Sequence, residues 1–289
     1  AGSDPVTDCY CVPHAQRAAP RPASAGVVIT VRAGAATDVG SVREVNEDSH
    51  YAGRSVWLIA DGMGGHAAGD VASRIAVEHF AALDGADRPL HPSDLVQAIA
   101  TANEQILRYG SAHPHAWGLG TTVTGIALVV VGGARHWAVF NVGDSRVYRW
   151  MDGRLSRATV DHSHIEHLVL GGTLTEDEAR FHSSRHVITR SLGSNPGPQT
   201  DVWVLPPSSG ERFVLCSDGL SGEVNDPEIA LLTGRTADPQ RLADLLVEAA
   251  VLHGGRDNVT VVVVDLLSGA DDDDAPTTPR TAVTETAAP

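Results

Sequence analysis

Four aspartates sit where apolar, strand-like runs begin or end. Asp61 follows residues 56–60, Asp144 follows 137–143, Asp218 follows 213–217, and Asp257 stands just before 259–264. Small residues surround each of them, including Gly62, Gly143, Gly219 and Gly255. A buried strand holds the residue at its end rigidly, and glycine lets a ligand or another backbone come close. Carboxylates brought together repel one another. A cluster with almost no basic residue is tolerable only around cations. The chemistry these residues suit is that of a divalent-metal enzyme. Taken singly, each aspartate reads as a turn or cap residue; the pattern carries the reading.

The elements that must position them follow from periodicity. Strands are expected at 27–33, 49–60 (two runs turning at Gly53-Arg54), 122–131, 135–142, 146–151, 201–205, 212–217 and 259–266. A helix over 69–83 carries Val71, Ile75 and Phe80 inward. A second, capped by Ser93, places Leu95, Ile99, Ala102 and Ile106 at steps of four, three and four. Gly132-Gly133 and Gly143-Asp144-Ser145 are links short enough for hairpins and antiparallel pairing. Thr175 with Glu178 forms a capping box. Asp226-Pro227 and Asp238-Pro239 open two more helices, the second carrying Leu242, Leu245, Leu246, Ala249 and Leu252. Runs of strands interrupted by helix pairs indicate an α+β layered domain with antiparallel sheets.

Composition bounds the rest. Residues 1–26 and 268–289 are rich in Ala and Pro or in acids and lack apolar periodicity, so both are expected to be disordered around a domain at 27–267. All 21 basic residues among the 289 are Arg, which excludes a P-loop lysine, a kinase nucleotide lysine and a Schiff base. The net charge of -15 argues against nucleic-acid binding. No apolar run is long enough to span a membrane and no secretory signal is evident, so a soluble, cytoplasmic monomer is expected. Three cysteines make no disulfide framework, and Cys216, inside an expected strand, reads as a small apolar residue.

At this point the motifs resemble a family. Arg43-Glu44-Val45-Asn46-Glu47-Asp48, Asp61-Gly62-Met63-Gly64-Gly65-His66, Gly118-Leu119-Gly120-Thr121-Thr122, Gly143-Asp144-Ser145-Arg146, Ser217-Asp218-Gly219 and Asp257-Asn258 resemble, in order, the motifs of the bacterial metal-dependent Ser/Thr protein phosphatases, the PPM or type 2C family. The resemblance covers about 27–266. It implies a four-layer αββα sandwich, two antiparallel β-sheets flanked by antiparallel helix pairs, with the metal site at one edge. It implies two catalytic Mn²⁺ or Mg²⁺ ions and a third, weaker one. Asp61 would bridge the pair, the carbonyl of Gly62 would join one ion, Asp218 and Asp257 would complete the other, and Asp144 with Asp218 would hold the third. Water between the two ions would attack phosphorus. Arg43 would grip the phosphate, and Glu47 and Asp48 would order water on the ions. The implied substrates are phosphoserine and phosphothreonine in proteins, and the implied partners Hanks-type Ser/Thr kinases and their substrates. Two alternatives share the fold: a catalytically silent phosphoprotein-binding regulator, and a phosphatase of anti-sigma-factor antagonists.

Other features are read more plainly. Some relatives place a general-acid histidine where Met63 stands, and Met63 has no proton to give; His66 reads as a helix-start residue. Thr121 and Thr122 read as strand-packing residues. His162, His164, His167, His182 and His186 read as solvated or cleft-rim residues of a flap rather than a zinc site, with Asp161 a candidate near the third ion. Cys11 and Arg17 match the Cys-x5-Arg spacing of cysteine phosphatases without the glycines that chemistry needs. Asp271 to Asp274 read as a solvated charge run, and Thr277-Thr278-Pro279 as an inert linker.

Overall fold

The computed structural model describes residues 29–64, 68–175, 178–179, 182–184 and 186–268. The expected N-terminal and C-terminal disorder, the Cys11–Arg17 spacing, His66, the Asp271–Asp274 run and Thr277-Thr278-Pro279 lie outside them.

Ten of the strands form two five-stranded antiparallel sheets. The first has the order β1 (Thr30–Asp38), β12 (Val259–Ser268), β11 (Arg212–Cys216), β8 (Arg146–Met151), β9 (Arg154–Arg157). The second has the order β10 (Asp201–Leu205), β7 (Ala134–Val142), β6 (Val123–Val131), β3 (Val56–Ala60), β2 (Ser49–Ala52). A two-stranded piece, β4 (Gly62–Met63) with β5 (Gly120–Thr121), lies just past the end of β3. The sheets meet through Trp57, Ile59, Ile126, Trp137 and Val139 on one side and Val147, Phe213, Leu215, Val262 and Val264 on the other. Trp137 packs edge-on to both Trp57 and Phe213, at centroid distances of 5.8 and 5.3 Å.

Helices cover both outer faces. α1 (Gly69–Asp84) and α2 (Pro92–Ala112) lie on the second sheet, where Phe80 stacks on Phe140 at 4.9 Å. On the first sheet lie α5 (Asp226–Arg235) and α6 (Pro239–Leu252), preceded by the short α4 (Asp218–Glu223). The unbroken valine run of β12 now has its cause. Val261 and Val263 face the helices while Val262 and Val264 face the other sheet, so both sides of the strand are buried. The αββα expectation stands, and among the described residues no helix is long and apolar enough to cross a membrane. Cys216 is buried, and that burial pushes its thiol up to about 12, which leaves it inert.

Several details differ from the sequence reading. β1 runs to Asp38, because β12 continues to offer partners as far as Val259. α2 starts at Pro92, not after Ser93. The fixed φ of proline suits the first helical position, and Asp94 closes the end by accepting from His91 N at 2.8 Å. Val71 sits at the margin of the inner face of α1, which is made by Ala72, Ile75, Ala76 and Phe80; Leu252, at the end of α6, is 83% exposed. Thr175 and Glu178 do make their capping box, after α3 (His164–Leu170) in the chain. The largest correction concerns Gly143-Asp144-Ser145. It is no hairpin: β7 belongs to the second sheet and β8 to the first, so this link crosses from sheet to sheet. Gly143 makes the corner possible with φ of 118°, a conformation that side chains rarely adopt.

Candidate metal centre

The crossing at 143–145, the exit of β3, the exit of β11 and the entry of β12 all lie at one edge of the sandwich, and hydrogen bonds lock them together. Asp61 N donates to Thr122 Oγ1 at 3.0 Å, Thr122 N donates to Asp61 O at 2.9 Å, and Thr121 Oγ1 donates to the same carbonyl at 2.9 Å. Thr122 Oγ1 also lies 2.9 Å from Ser145 Oγ, linking the Asp61 and Asp144 turns. Ser217 Oγ donates to Asp48 Oδ2 at 2.8 Å, a bond from the first sheet to the second. The Asp218 and Asp257 loops pack backbone to backbone. A Cβ on Gly219 would lie 2.0 Å from the Asn258 carbonyl, so only glycine fits there. Thr121 and Thr122, expected to serve packing alone, hold the Asp61 peptide.

Asp48, Asp61, Asp144, Asp218 and Asp257 thereby share one electrostatic neighbourhood. Burial, then Asp48, Asp218, Asp144 and Asp257, push the Asp61 carboxyl well above the usual carboxylate range. Burial pushes Asp48 up to about 7 against the hydrogen bonds from Thr260 and Ser217, with Asp218 and Asp257 adding to the rise. Asp218 is raised by burial and Asp257, and its carboxylate shares a hydrogen bond with Asp61. Asp144, 7% exposed, is raised by burial, Asp218 and Asp161. Its Oδ1 is buried without any hydrogen-bond partner, in a protein where buried polar atoms are nearly always bonded.

Among the described residues, no three His, Cys, Asp or Glu side chains stand in ready-made metal-holding geometry. The donor set nonetheless fits hard divalent cations. It consists of oxygen donors on rigid strand ends, mutually repelling, with one buried oxygen unbonded. Gly62 is buried in β4 opposite Thr121, next to Asp61. Asp144, Asp218, Asp257, Asp61 and Gly62 are thus brought together.

The surrounding residues are placed unequally. Arg43, half exposed, bonds Asp257 through Nη2 at 2.8 Å. Glu47 is pushed up by burial, and its Oε1 accepts from Gly69 N at 3.1 Å, tethering the start of α1. Asp161 is occupied by Arg146, whose Nη2 lies 2.7 Å from Oδ2. His164, His167 and His186 are exposed, and His186 Nδ1 stands 4.0 Å from Asp218 Oδ2, on the rim as expected. His162 departs from that reading: it is 4% exposed and bonded at both ring nitrogens. Met63 is half-buried beside Gly120.

Sequence reasoning missed Asn258. Its Nδ2 donates to Val39 O at 2.9 Å and Val45 O at 3.0 Å, and its Oδ1 accepts from Glu47 N at 2.9 Å. One side chain therefore clamps the loop bearing Arg43 and Glu47 onto the start of β12. The signal was its place directly after Asp257, where a polar residue at a strand entry suggests a loop clamp. Asn258→Ala is expected to lower stability by about 2–3 kcal/mol, since three hydrogen bonds are lost and their partners left unpaired. Urea unfolding measures it, and a loss under about 0.5 kcal/mol, half the usual worth of a single such bond, would contradict the clamp.

Comparison with known proteins places these features in a family. The protein phosphatase 2C family model matches residues 41–246. The Ser/Thr protein phosphatase PstP of Mycobacterium tuberculosis is 38% identical over 275 residues, covering 89% of this chain and 52% of its own length. The chain thus spans about half the length of that curated relative. Its crystal structure overlays with a TM-score of 0.76 at 37% identity, covering 83% of this chain and all of the other. A crystal structure of the PstP catalytic domain in complex with two manganese ions overlays with a TM-score of 0.75 at 36% identity, with the same coverage.

Proposed function

The chain belongs to the protein phosphatase 2C family, and we propose that it hydrolyses phosphoserine and phosphothreonine in proteins at a centre of two Mn²⁺ or Mg²⁺ ions. The observation that carries this reading is the convergence of Asp48, Asp61, Asp144, Asp218 and Asp257 from both sheets at one edge. In this reading Asp61, the Gly62 carbonyl, Asp218 and Asp257 would hold the two ions, and Asp144 with Asp218 would hold a third, weaker one. Divalent ions held there would supply Lewis acidity, which would make a water nucleophile at neutral pH and offset the charge of the phosphate.

The chain's own residues do the rest. Thr121, Thr122 and Ser217 fix the peptide of Asp61 and the carboxylate of Asp48. In this reading Asp48, held by Ser217, would orient water at the cluster, and Glu47 would support it by anchoring α1. Arg43, now bonded to Asp257, would in the same reading turn to two phosphoryl oxygens, which its planar fork of donors matches. Met63 has no proton to give the departing serine or threonine oxygen. Arg43→Ala is expected to raise KM for an aryl phosphate about 10-fold, because bidentate charged pairs are the strong kind, with a smaller change in kcat. Arg43→Lys is expected to recover little of it, because a point charge cannot reproduce the fork. Steady-state kinetics measure both.

The proposed partners are proteins phosphorylated by Hanks-type Ser/Thr kinases, and those kinases themselves. The proposed setting is the cytoplasm, where ATP-dependent kinases make such esters. The proposed oligomeric state is a monomer. Hydrolysis of p-nitrophenyl phosphate and of a phosphothreonine peptide, with Mn²⁺ and with excess EDTA, tests the reading; turnover undiminished by the chelator would falsify it.

A further inference from the structure

Asp144 is carried at the sheet-to-sheet crossing, and with Oδ1 unbonded its aim is set from its backbone. The preceding peptide is gripped by His162, at the base of the segment bordering the cleft. Gly143 N donates to His162 Nδ1 at 3.1 Å, and Gly143 O accepts from His162 N at 2.8 Å and from Asn141 Nδ2 at 3.1 Å. The corner has no slack: a Cβ on Gly143 would lie 2.5 Å from Thr122 Cγ2. Because a backbone N–H can only donate, Nδ1 must offer its lone pair, and the ring proton sits on Nε2. Nε2 faces Asp201 Oδ2 at 3.0 Å; Arg190 Nη1, which lies 3.1 Å from Nε2, donates to Asp201 Oδ1 at 3.0 Å. Thr189 N donates to His162 O at 2.7 Å, tying the far end of the same segment to this point. A buried imidazole thus runs as a strut from an ion pair on β10 to the peptide beside Asp144.

We propose that His162 is a positioning residue for Asp144: its ring fixes the Gly143 peptide and so presents the Asp144 carboxylate to the cluster. The inference rests on the reading of Asp144 as a ligand. Second partners of this kind hold metal-binding groups in register, and their loss weakens metal binding by about 10–100-fold.

Mn²⁺ calorimetry on the full chain tests it without reference to turnover. An asparagine amide oxygen stands where Nδ1 stands, whereas a glutamine amide reaches where Nε2 stands. His162→Ala is expected to weaken the loosest Mn²⁺ step about 10-fold, His162→Asn to stay near wild type, and His162→Gln to behave like His162→Ala. In an Asp144→Ala background, His162→Ala should weaken Mn²⁺ binding no further. Wild-type Mn²⁺ binding by His162→Ala, with only a lower metal-free melting temperature, overturns the proposal when Asp144→Ala is defective. So does an additive loss in the double variant. Should His162→Ala not fold, the Asn and Gln variants decide, and rescue by Gln but not Asn overturns it. Wild-type Mn²⁺ binding by Asp144→Ala would overturn the ligand reading itself, and this inference with it.

Discussion

Asp61→Asn should abolish phosphatase turnover, by on the order of 10³-fold, the upper end of what losing one preorganised electrostatic group costs. The same change should make the metal-free protein more stable. Asp61 stands among four other carboxylates, each of which, with burial, disfavours its charge. An amide of the same shape removes one member of that repulsion and keeps the Asp61 peptide bonded to Thr121 and Thr122. An increase of roughly 2–4 °C, what about 1 kcal/mol amounts to in a domain of this size, is expected without metal. With Mn²⁺ the order should reverse, because the variant forfeits the stabilisation that binding supplies. Activity and melting temperature measured on one preparation check both halves. Retained turnover, or a variant less stable without metal, would contradict the placement of Asp61 at the centre of the cluster. Sites that strain the fold to serve chemistry trade stability for function in this direction.

In the metal-free protein, the melting temperature should fall as pH rises from 6 to 8, and Mn²⁺ should remove most of that fall. Asp48 shows why. Its carboxyl lies at about 7 in the folded protein against an ordinary value of 3.8. Between those values the folded chain holds a proton that the unfolded chain has released. The unfolded state then binds fewer protons, and stability declines as pH rises through this window, with the loss complete above the folded value. Asp61, Asp144 and Asp218 are displaced in the same direction and deepen the decline. Carboxylates displaced downward, such as Glu223 beside Arg256, lose their contribution only below the ordinary carboxylate range; His50 and His162, lowered by burial, oppose the decline only near and below their ordinary value of 6.5 and leave the rise to pH 8 to the carboxylates. Dications compete with protons for the same oxygens, so saturating Mn²⁺ should flatten the slope and raise the melting temperature most at pH 8. Calorimetric melts at pH 6, 7 and 8 measure it. A metal-free melting temperature that climbs with pH would rule out the electrostatic picture of the site.

Much of this architecture was legible in the sequence because its signals are local. Aspartates at strand ends, the helical spacing of Leu95, Ile99, Ala102 and Ile106, and the Asp238-Pro239 helix start depend on a few neighbouring residues, and each stands in the structure as read. What was not legible depends on partners far along the chain. Gly143-Asp144-Ser145 looks locally like any two-strand turn. Only the competition among strands for neighbours decides that β7 and β8 separate into different sheets, which is what brings Asp144 to the edge. His162 sits among exposed histidines in sequence, yet it is buried because Gly143 and Asp201 meet it there. Asn258, Ser217 and Thr122 are ordinary polar residues by type. Their importance lies in bonds to residues 61–219 positions away, which no periodicity announces.

The most direct measurement is the position of bound metal. A crystal grown with Mn²⁺ and measured at the manganese absorption edge should show at least two anomalous peaks among Asp61, Asp218 and Asp257, with a weaker one beside Asp144. Peaks that lie elsewhere, or an active crystal-grade preparation with none at this edge of the sandwich, would contradict a metal centre built from these carboxylates.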